Sequence, residues 1–215
     1  MTNEPPRALT DAARFDSQLP LPDISAAAAS AGLLDVAYAK LDSPLGTLLL
    51  AATPRGLVRL AYLDTDGEDA VLEELAAKLS PRILSAPRRL DEPRRELEQY
   101  LSGTRRHFEL ELDWQLVRGF GRRVLEATAH IPYGSVSTYK QVATEAGNPR
   151  ASRAAGNALG ANPPPIIVPC HRILHSGGGL GGYTGGLERK RLLLAIECGQ
   201  GVLGEDPSPV DARRR

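Results

Sequence analysis

Residues 163–172 read Pro163-Pro164-Pro165-Ile166-Ile167-Val168-Pro169-Cys170-His171-Arg172. Ile166 to Val168 is a short apolar run, predicted as one buried strand. Pro169 ends any ladder there, because proline has no N–H to donate. Directly behind that stop stand a cysteine, a histidine and an arginine. Only two cysteines occur in 215 residues. A Cys beside a His at a rigid strand end is a candidate nucleophile, although a single Cys also serves as a small buried hydrophobe.

Upstream of this stretch the pattern is helical. Val117 to His130 reads as a helix with Phe120, Val124 and Leu125 inward, followed by the turn Ile131-Pro132-Tyr133-Gly134. Ser137 or Thr138 is a good N-cap for the helix that follows, with Val142, Ala143 and Ala146 on its buried side. Gly147-Asn148-Pro149 breaks the chain, and a second short helix runs from Arg150 to about Leu159. Helix, tight turn, helix with an arginine on the second is the outline of a helix-turn-helix. The small residues Ala151, Ala154, Ala155 and Gly156 suit tight helix packing, and they equally suit close approach to a nucleic acid, with Arg153 projecting from the surface.

Downstream, Gly177 to Gly186 is dense in glycine, so its backbone must come near something. No Walker Lys-Ser/Thr follows, and a wall for a flat ring fits better than a phosphate cradle. Leu187 to Cys198 is predicted as the last helix, with Glu197 one turn from its end and Gly199 terminating it.

The first half reads differently. Val36–Leu41, Thr47–Thr53 and Leu57–Leu63 form a β-meander with turns at Asp42–Gly46 and Pro54–Gly56. A helix opens at Asp66–Asp69 and is stopped by Pro81; Arg82–Ala86 is a further strand; a second helix presents Leu90, Leu97, Tyr100 and Leu101 and ends at Gly103; Phe108–Trp114 is a last strand. The expected organisation is a flexible arm over residues 1–33, an α/β scaffold domain over 34–115, a mostly helical domain over 116–203 and a polar tail over 204–215.

Charges balance overall, 26 basic against 26 acidic. Their distribution does not. Residues 1–116 hold 13 Lys/Arg and 19 Asp/Glu, a net of 13 − 19 = −6, whereas residues 117–203 hold 10 and 4, a net of +6. The basic half therefore points to an anionic partner, although an Arg-rich solvated helix face gives the same count. Two cysteines are too few for a disulfide framework, which fits a reducing compartment. With no secretory signal and no apolar run of spanning length, a cytoplasmic protein that does not use a membrane is expected.

Seven pieces, in order and spacing, resemble one family: Ile131-Pro132-Tyr133-Gly134, Ser137-Thr138-Tyr139, Arg153-Ala154-Ala155-Gly156, Asn162-Pro163, Pro169-Cys170-His171-Arg172, Gly182-Tyr183-Thr184-Gly185-Gly186 and Leu193-Leu194-Ala195-Ile196-Glu197. They are similar to the O6-alkylguanine-DNA alkyltransferases, densely over about residues 117–200 and only in general character from about 35 to 116. The resemblance implies an α/β two-domain fold. Its N-terminal part is a ribonuclease H-like antiparallel sheet with helices, and its C-terminal part carries the helix-turn-helix and an active-site loop. It implies direct repair of double-stranded DNA, in which the alkyl group on guanine O6 moves irreversibly to the cysteine, so that each molecule acts once, as a monomer.

By the same resemblance Cys170 is the nucleophile. His171 takes its proton through a water, Glu197 holds His171, and Tyr139 donates to the leaving guanine. A relay suits neighbours on an extended backbone, whose side chains point to opposite sides. Arg153, Tyr139, Ala154, Gly156 and Lys140 would contact DNA, with Arg153 taking the place of a base turned out of the stack. Asn162, Val168, Pro165, Ile173, Tyr183 and Thr184 would form the base pocket, the Cys170 and Ile173 carbonyls accepting from the guanine amino group. The family needs no cofactor. The zinc cysteines that some members carry in the N-terminal part are absent, so no metal carries over. Asn157 stands where some members have a small residue. Relatives with tryptophan for the cysteine only bind lesions, whereas here Cys170 is present.

Two rivals are weaker. A cysteine hydrolase wants its Cys and His far apart in sequence. A zinc module from Cys170, His171, His175 and Cys198 matches no common finger spacing. A non-enzymatic alkylated-DNA binding protein is the serious alternative, and transfer of a labelled alkyl group to the protein separates the two.

Overall fold

The computed structural model describes residues 24–199. Leu48, Leu49, Leu50 and Ala51 follow one another in a single strand and are all buried. An unbroken apolar run of this kind belongs to a strand covered on both faces. That strand is β2 (Gly46–Thr53), flanked by β1 (Val36–Ser43) and β3 (Gly56–Tyr62) in the expected antiparallel meander. Before it lies helix α1 (Ile24–Ser30), and after it come a one-turn helix α2 (Leu63–Asp66), α3 (Glu68–Lys78), β4 (Ile83–Ser85) and α4 (Asp91–Leu101).

The sheet order is β3-β2-β1-β4, and β4 pairs with β1 in parallel, so the sheet is mixed rather than purely antiparallel. The crossover through α3 carries the chain from one edge to the other and brings β4 in along β1. The period-two alternation splits the core. Leu49, Ala51, Val58 and Ala61 point to one face and pack with Val71 and Leu75 of α3. Leu48, Leu50, Leu60 and Tyr62 point to the other and pack with Leu97, Tyr100 and Leu101 of α4.

Two expected strands are absent. Phe108–Trp114 makes only an isolated bridge, Leu57 to Leu112. The reason is competition for the free edge of β3. Leu57 exchanges bonds with Glu111 and Asp113, but the next edge donor, Leu60 N–H, is taken by the Pro163 carbonyl at 2.9 Å. The segment that leads to Cys170 thus occupies the place a further strand would need. Ile166–Val168 is not a strand either. Three consecutive prolines without N–H groups cannot build a ladder, and Ile166-Ile167 forms a tight turn closed by Val168 N–H donating to the Pro164 carbonyl at 2.9 Å. Ile166 has φ of 73°, a left-handed backbone that costs a β-branched residue about 1–3 kcal/mol. Full burial among Leu48, Leu60 and Tyr62 holds it there.

The second half contains α5 (Gly119–Ala129), β5 (Ser137–Thr138), α6 (Tyr139–Glu145), α7 (Ser152–Gly160), β6 (Ile173–Leu174) and α8 (Leu187–Glu197). Thr138 is the N-cap of α6. Its hydroxyl accepts from Gln141 N–H at 3.2 Å while the Gln141 side-chain oxygen accepts from Thr138 N–H at 2.9 Å, a reciprocal capping box. Val142, Ala143 and Ala146 face inward with Val124, Leu125, Ala155 and Leu159. The short parallel pair β5–β6 ties the start of the helix-turn-helix to the segment behind Cys170.

Of the expected flexible arm, residues 1–23 lie outside the described residues, as do 200–215 of the C-terminal stretch. Ile24–Ser30 is helical, and Ala28 packs on Leu34, Ala37 and Ala86. No helix among the described residues is long and apolar enough to cross a membrane.

Candidate active site

Ile166 and Ile167 belong to the core under the sheet, whereas Val168, Cys170 and Ile173 belong to the core of the helical half. The chain passes from one core to the other directly before the cysteine, which is therefore fixed from both sides. Cys170–Arg172 is one turn of 3-10 helix rather than the extended backbone expected. Cys170 is only 5% exposed.

Asn162 reaches the sulfur. Its Nδ2 donates to the Val168 carbonyl at 2.8 Å and to Cys170 Sγ at 3.1 Å. A carbonyl only accepts, so the Val168 contact fixes which end of the amide faces the sulfur, and that end is a donor. Burial pushes the Cys170 thiol up to about 11, against the pull of Asn162 and of the Lys190 ammonium. The resting group is a thiol, and a thiolate must be made on demand.

The means stands beside it. His171 is fully buried, and its Nε2 lies 2.7 Å from Glu197 Oε1. Facing a carboxylate, Nε2 carries the proton, which leaves Nδ1 as the basic nitrogen. That Nδ1 is buried and has no hydrogen-bond partner. Burial lowers the His171 pKa below its ordinary value despite the carboxylate, so the resting imidazole is neutral and able to accept.

Glu197 is the last residue of α8, where a helix dipole disfavours a carboxylate. Burial also pushes its carboxyl up. Hydrogen bonds from His171, Arg172 and Tyr100 outweigh both and hold it down at about 2. Arg172 Nε donates to both carboxylate oxygens at 3.0 Å, Gly134 N–H donates to Oε2 at 2.9 Å, and the Tyr100 hydroxyl donates to Oε1. Arg172 Nη1 also donates to the Ile131 carbonyl at 2.5 Å. A buried carboxylate with this many donors is paired and satisfied, the condition under which a buried charge persists.

The remaining candidates fall into two groups. Val168 and Ile173 are buried in one cluster with Cys170, Asn162 bonds its sulfur, and Pro165 is buried and bridged to Val168. The Tyr183 ring meets His171 edge-on, with centroids 6.4 Å apart, and Thr184 Oγ1 donates to the Gly160 carbonyl at 2.8 Å, joining the glycine segment to the end of α7. The two carbonyls expected to receive a guanine amino group already have one partner each: Cys170 O accepts from Ile173 N–H, and Ile173 O accepts from Lys190 Nζ at 2.6 Å. A carbonyl keeps a second lone pair, so each retains capacity.

Arg153, Ala154 and Lys140 are exposed on the helix-turn-helix. Gly156 is half-buried against the Tyr139 ring: a side chain there would begin 3.7 Å from it, an ordinary van der Waals contact. On the other side of that ring, a side chain at Gly181 would meet the Tyr139 hydroxyl at 2.7 Å. Burial raises the Tyr139 pKa, which keeps its hydroxyl protonated and able to donate.

Sequence reasoning placed Tyr100 only as an apolar residue of α4, and gave Arg172 and Lys190 no role. A buried tyrosine hydroxyl, a buried guanidinium and a buried ammonium each demand partners, but burial is invisible in the sequence. Lys190 is fully buried and donates to the carbonyls of Ile173 and Leu180, with Gly182 O at 3.4 Å, tying the middle of the glycine segment to the strand just behind Cys170. A cavity of about 550 Å³ opens on the far side of Glu197, lined by Leu101, Arg106, Tyr133, Gly134 and Cys198. It does not touch Cys170, so it is not the reaction chamber. Among the described residues, no three His, Cys, Asp or Glu side chains are grouped to hold a metal ion.

Comparison with known proteins gives the same outline. The family described as 6-O-methylguanine DNA methyltransferase, ribonuclease-like domain, matches residues 36–114, and its DNA-binding domain matches residues 119–199. A methylated-DNA–protein-cysteine methyltransferase of Mycolicibacterium paratuberculosis is 38% identical over 164 residues, 75% of this chain and 92% of the relative. The protein of the same name from Methanosarcina barkeri is 39% identical over 160 residues, 74% of this chain and 96% of the relative. Among solved structures, Mycobacterium tuberculosis OGT in complex with DNA superposes with a TM-score of 0.66 at 36% identity, covering 77% of this chain and 94% of that one. The chain belongs to the methylated-DNA–protein-cysteine methyltransferases, proteins of DNA repair that act by alkyl transfer.

Proposed function

We propose that this chain takes the alkyl group from O6-alkylguanine in double-stranded DNA onto Cys170, once per molecule. The observation that carries the reading is the buried line from Glu197 through His171 Nε2 to an unpartnered Nδ1, next in sequence to a buried thiol. Nδ1 accepts the thiol proton through one water. Asn162 Nδ2 and the Lys190 charge stabilise the thiolate as it forms, and Glu197 with Arg172 stabilises the imidazolium. The sulfur then forms a C–S bond at the saturated carbon while the carbon–O6 bond breaks. The departing guanine takes a proton from the Tyr139 hydroxyl, which is refilled from the thiol proton, so protons balance. The product thioether cannot ionise, and the molecule is spent.

A target base inside a duplex must be turned out to reach a buried sulfur. Arg153, exposed beside Ala154 on the small face of α7, is the group suited to the vacated place; Lys140 is placed for the backbone, and Tyr183 and Thr184 wall the pocket with Pro165, Val168 and Ile173. The structure of the Mycobacterium tuberculosis relative with DNA supports a nucleic-acid partner here. We propose the division of labour as scaffold over residues 34–115 and DNA binding with transfer over 116–203. Every group of the relay comes from one chain, which suits a monomer, and a reducing cytoplasm would keep Cys170 a thiol.

The test is incubation with duplex DNA carrying labelled O6-methylguanine. One label per chain is expected, lost in Cys170→Ala with DNA binding kept. Transfer that survives Cys170→Ala, or many groups per chain, overturns the mechanism. Lesion binding by the wild type without any transfer would make the chain a binding protein instead.

A further inference from the structure

Tyr62 is the last residue of β3 in the N-terminal half, 1% exposed, and nothing in its sequence context marks it as functional. Its hydroxyl lies 2.8 Å from that of Tyr183, and the two rings meet edge-on with centroids 6.3 Å apart. Its ring also occupies the space over Gly185: a side chain there would come within 2.5 Å of Tyr62 Cε2. Arg189 sits over the ring, 4.4 Å from its centroid, and donates to the Gly185 carbonyl at 3.0 Å and to the Leu45 carbonyl at 2.7 Å. Three separate contacts therefore join this one residue to the segment that carries Tyr183 and Thr184.

We propose that Tyr62 is a positioning residue which, through the Tyr62–Tyr183 hydroxyl pair, sets the wall of the base pocket and so determines which O6-alkyl groups Cys170 accepts. The inference rests on the proposed transfer reaction and assigns its size selectivity to the N-terminal half. Tyr183 stands edge-on to His171 and packs against the cluster that holds Cys170. Its ring position therefore bounds the space beside the sulfur. Tethered, the wall fits a small alkyl group closely. Released, the ring yields to a larger one and holds a small one less well oriented, and misorientation of a reacting centre costs rate. Gly185 follows from the same geometry, since any larger residue there would drive the segment off Tyr62.

The experiment compares Tyr62→Phe with wild type in single-turnover reactions on duplexes carrying O6-methylguanine or O6-benzylguanine. Phe keeps the ring, its packing and the contact with Arg189, and removes only the hydroxyl. The expected result is a fall of about fivefold in the methyl transfer rate, the equivalent of one neutral hydrogen bond. The benzyl-to-methyl rate ratio should rise by a similar factor, and the duplex Kd should stay at the wild-type value. Tyr183→Phe removes the other half of the pair and should give the same ratio without an additive effect in the double variant. Wild-type rate ratios in both single variants would overturn the inference while leaving transfer itself intact. A wild type that transfers neither group would overturn the proposed function instead. Equal loss on both substrates, together with a lowered Tm, would reduce Tyr62 to a packing residue and also overturn it.

Discussion

The two faces of the N-terminal sheet do different things with the same kind of residue. One face, with Leu49, Ala51, Val58 and Ala61, closes on α3 and touches little else. The other, with Leu48, Leu50, Leu60 and Tyr62, packs on α4 and also on Ile166, Ile167, Leu193 and Ile196 from the helical half. Those four lie on the two segments that deliver Cys170 and Glu197. Apart from Leu116 at the boundary, the first face packs within its own half, and the second is a foundation shared with the segments of Cys170 and Glu197. Through these four residues the sheet fixes where Cys170 and Glu197 stand.

The largest effect is expected where the shared side meets the relay. Removing one partner of a buried charged pair costs about 3–5 kcal/mol. Glu197→Gln leaves Arg172 buried without its carboxylate and should approach that cost in urea or thermal unfolding. Loss of the base it supports should slow single-turnover transfer by about 10²–10⁴. The pH dependence has a definite sign. The Glu197 carboxyl sits at about 2, below its ordinary 4.5. Its stabilisation is therefore complete above about pH 4.5 and is lost as pH falls through about 2. Glu197→Gln should flatten that acid limb of the stability profile; an unchanged limb would mean other carboxylates carry it.

Next comes a matched pair on the two faces. Leu75 on the first face and Leu193 on the shared side are both fully buried, and each Leu→Ala change should cost about 2–5 kcal/mol. Their transfer rates should separate them. Folded Leu75→Ala protein should react at the wild-type rate. Leu193→Ala should react more slowly, because the cavity lies under the helix that holds Lys190 and Glu197. Equal rates in the two variants would dissolve the distinction between the faces.

How much of this was legible in the sequence follows the same line. The meander was readable because Val36–Leu41, Thr47–Thr53 and Leu57–Leu63 are apolar runs divided by Pro- and Gly-containing turns, and both signals are properties of neighbours. The family was readable because the motifs that carry Cys170, His171, Arg153 and Tyr139 stand in a fixed order. What escaped was decided by distant residues. Phe108–Trp114 has the composition of a strand, but whether it pairs depends on Pro163 occupying Leu60, both of them distant in sequence. Ile166-Ile167 reads as strand because its burial is real; its turn is set by the prolines before it and the sheet beneath. Tyr100 shares a helical stripe with Leu97 and Leu101, and nothing local tells a tyrosine that fills a core from one that also donates to Glu197.

Tyr100 is thus the sharpest probe of the shared face at the level of one hydrogen bond. Its hydroxyl donates to Glu197 Oε1 and lies 3.3 Å from His171 Nε2. Tyr100→Phe keeps the ring stacked near Phe108 and Tyr133 and should lose about 1.5–3 kcal/mol, the range for a bond to a charged group. With one donor fewer, the Glu197 carboxyl should titrate higher, so acid destabilisation should begin at a higher pH than in the wild type. Transfer should slow less than in Glu197→Gln, because the carboxylate remains.

The smallest effect belongs to Arg59, which ties the edge of β3 to the start of the active-site segment. Its Nη1 donates to the carbonyls of Pro163 at 3.1 Å and Leu60 at 3.2 Å, while Asp66 and Glu74 stand at 3.6 Å and 3.5 Å. Leu60 N–H already holds the same Pro163 carbonyl, so Arg59 is a second fastening. Its side chain is 15% exposed and its acids more so, and ion pairs open to solvent contribute little. Arg59→Met keeps the length and removes the donors, and should cost about 1 kcal/mol or less in stability. The comparison between faces adds a stricter demand. Pro163 begins the run that turns through Ile166 into Cys170, so loosening it should slow transfer by a factor larger than the stability loss alone accounts for. Stopped-time labelling beside urea unfolding of the same variant decides this. A rate unchanged while stability falls would show that the sheet supports the second half without aiming it.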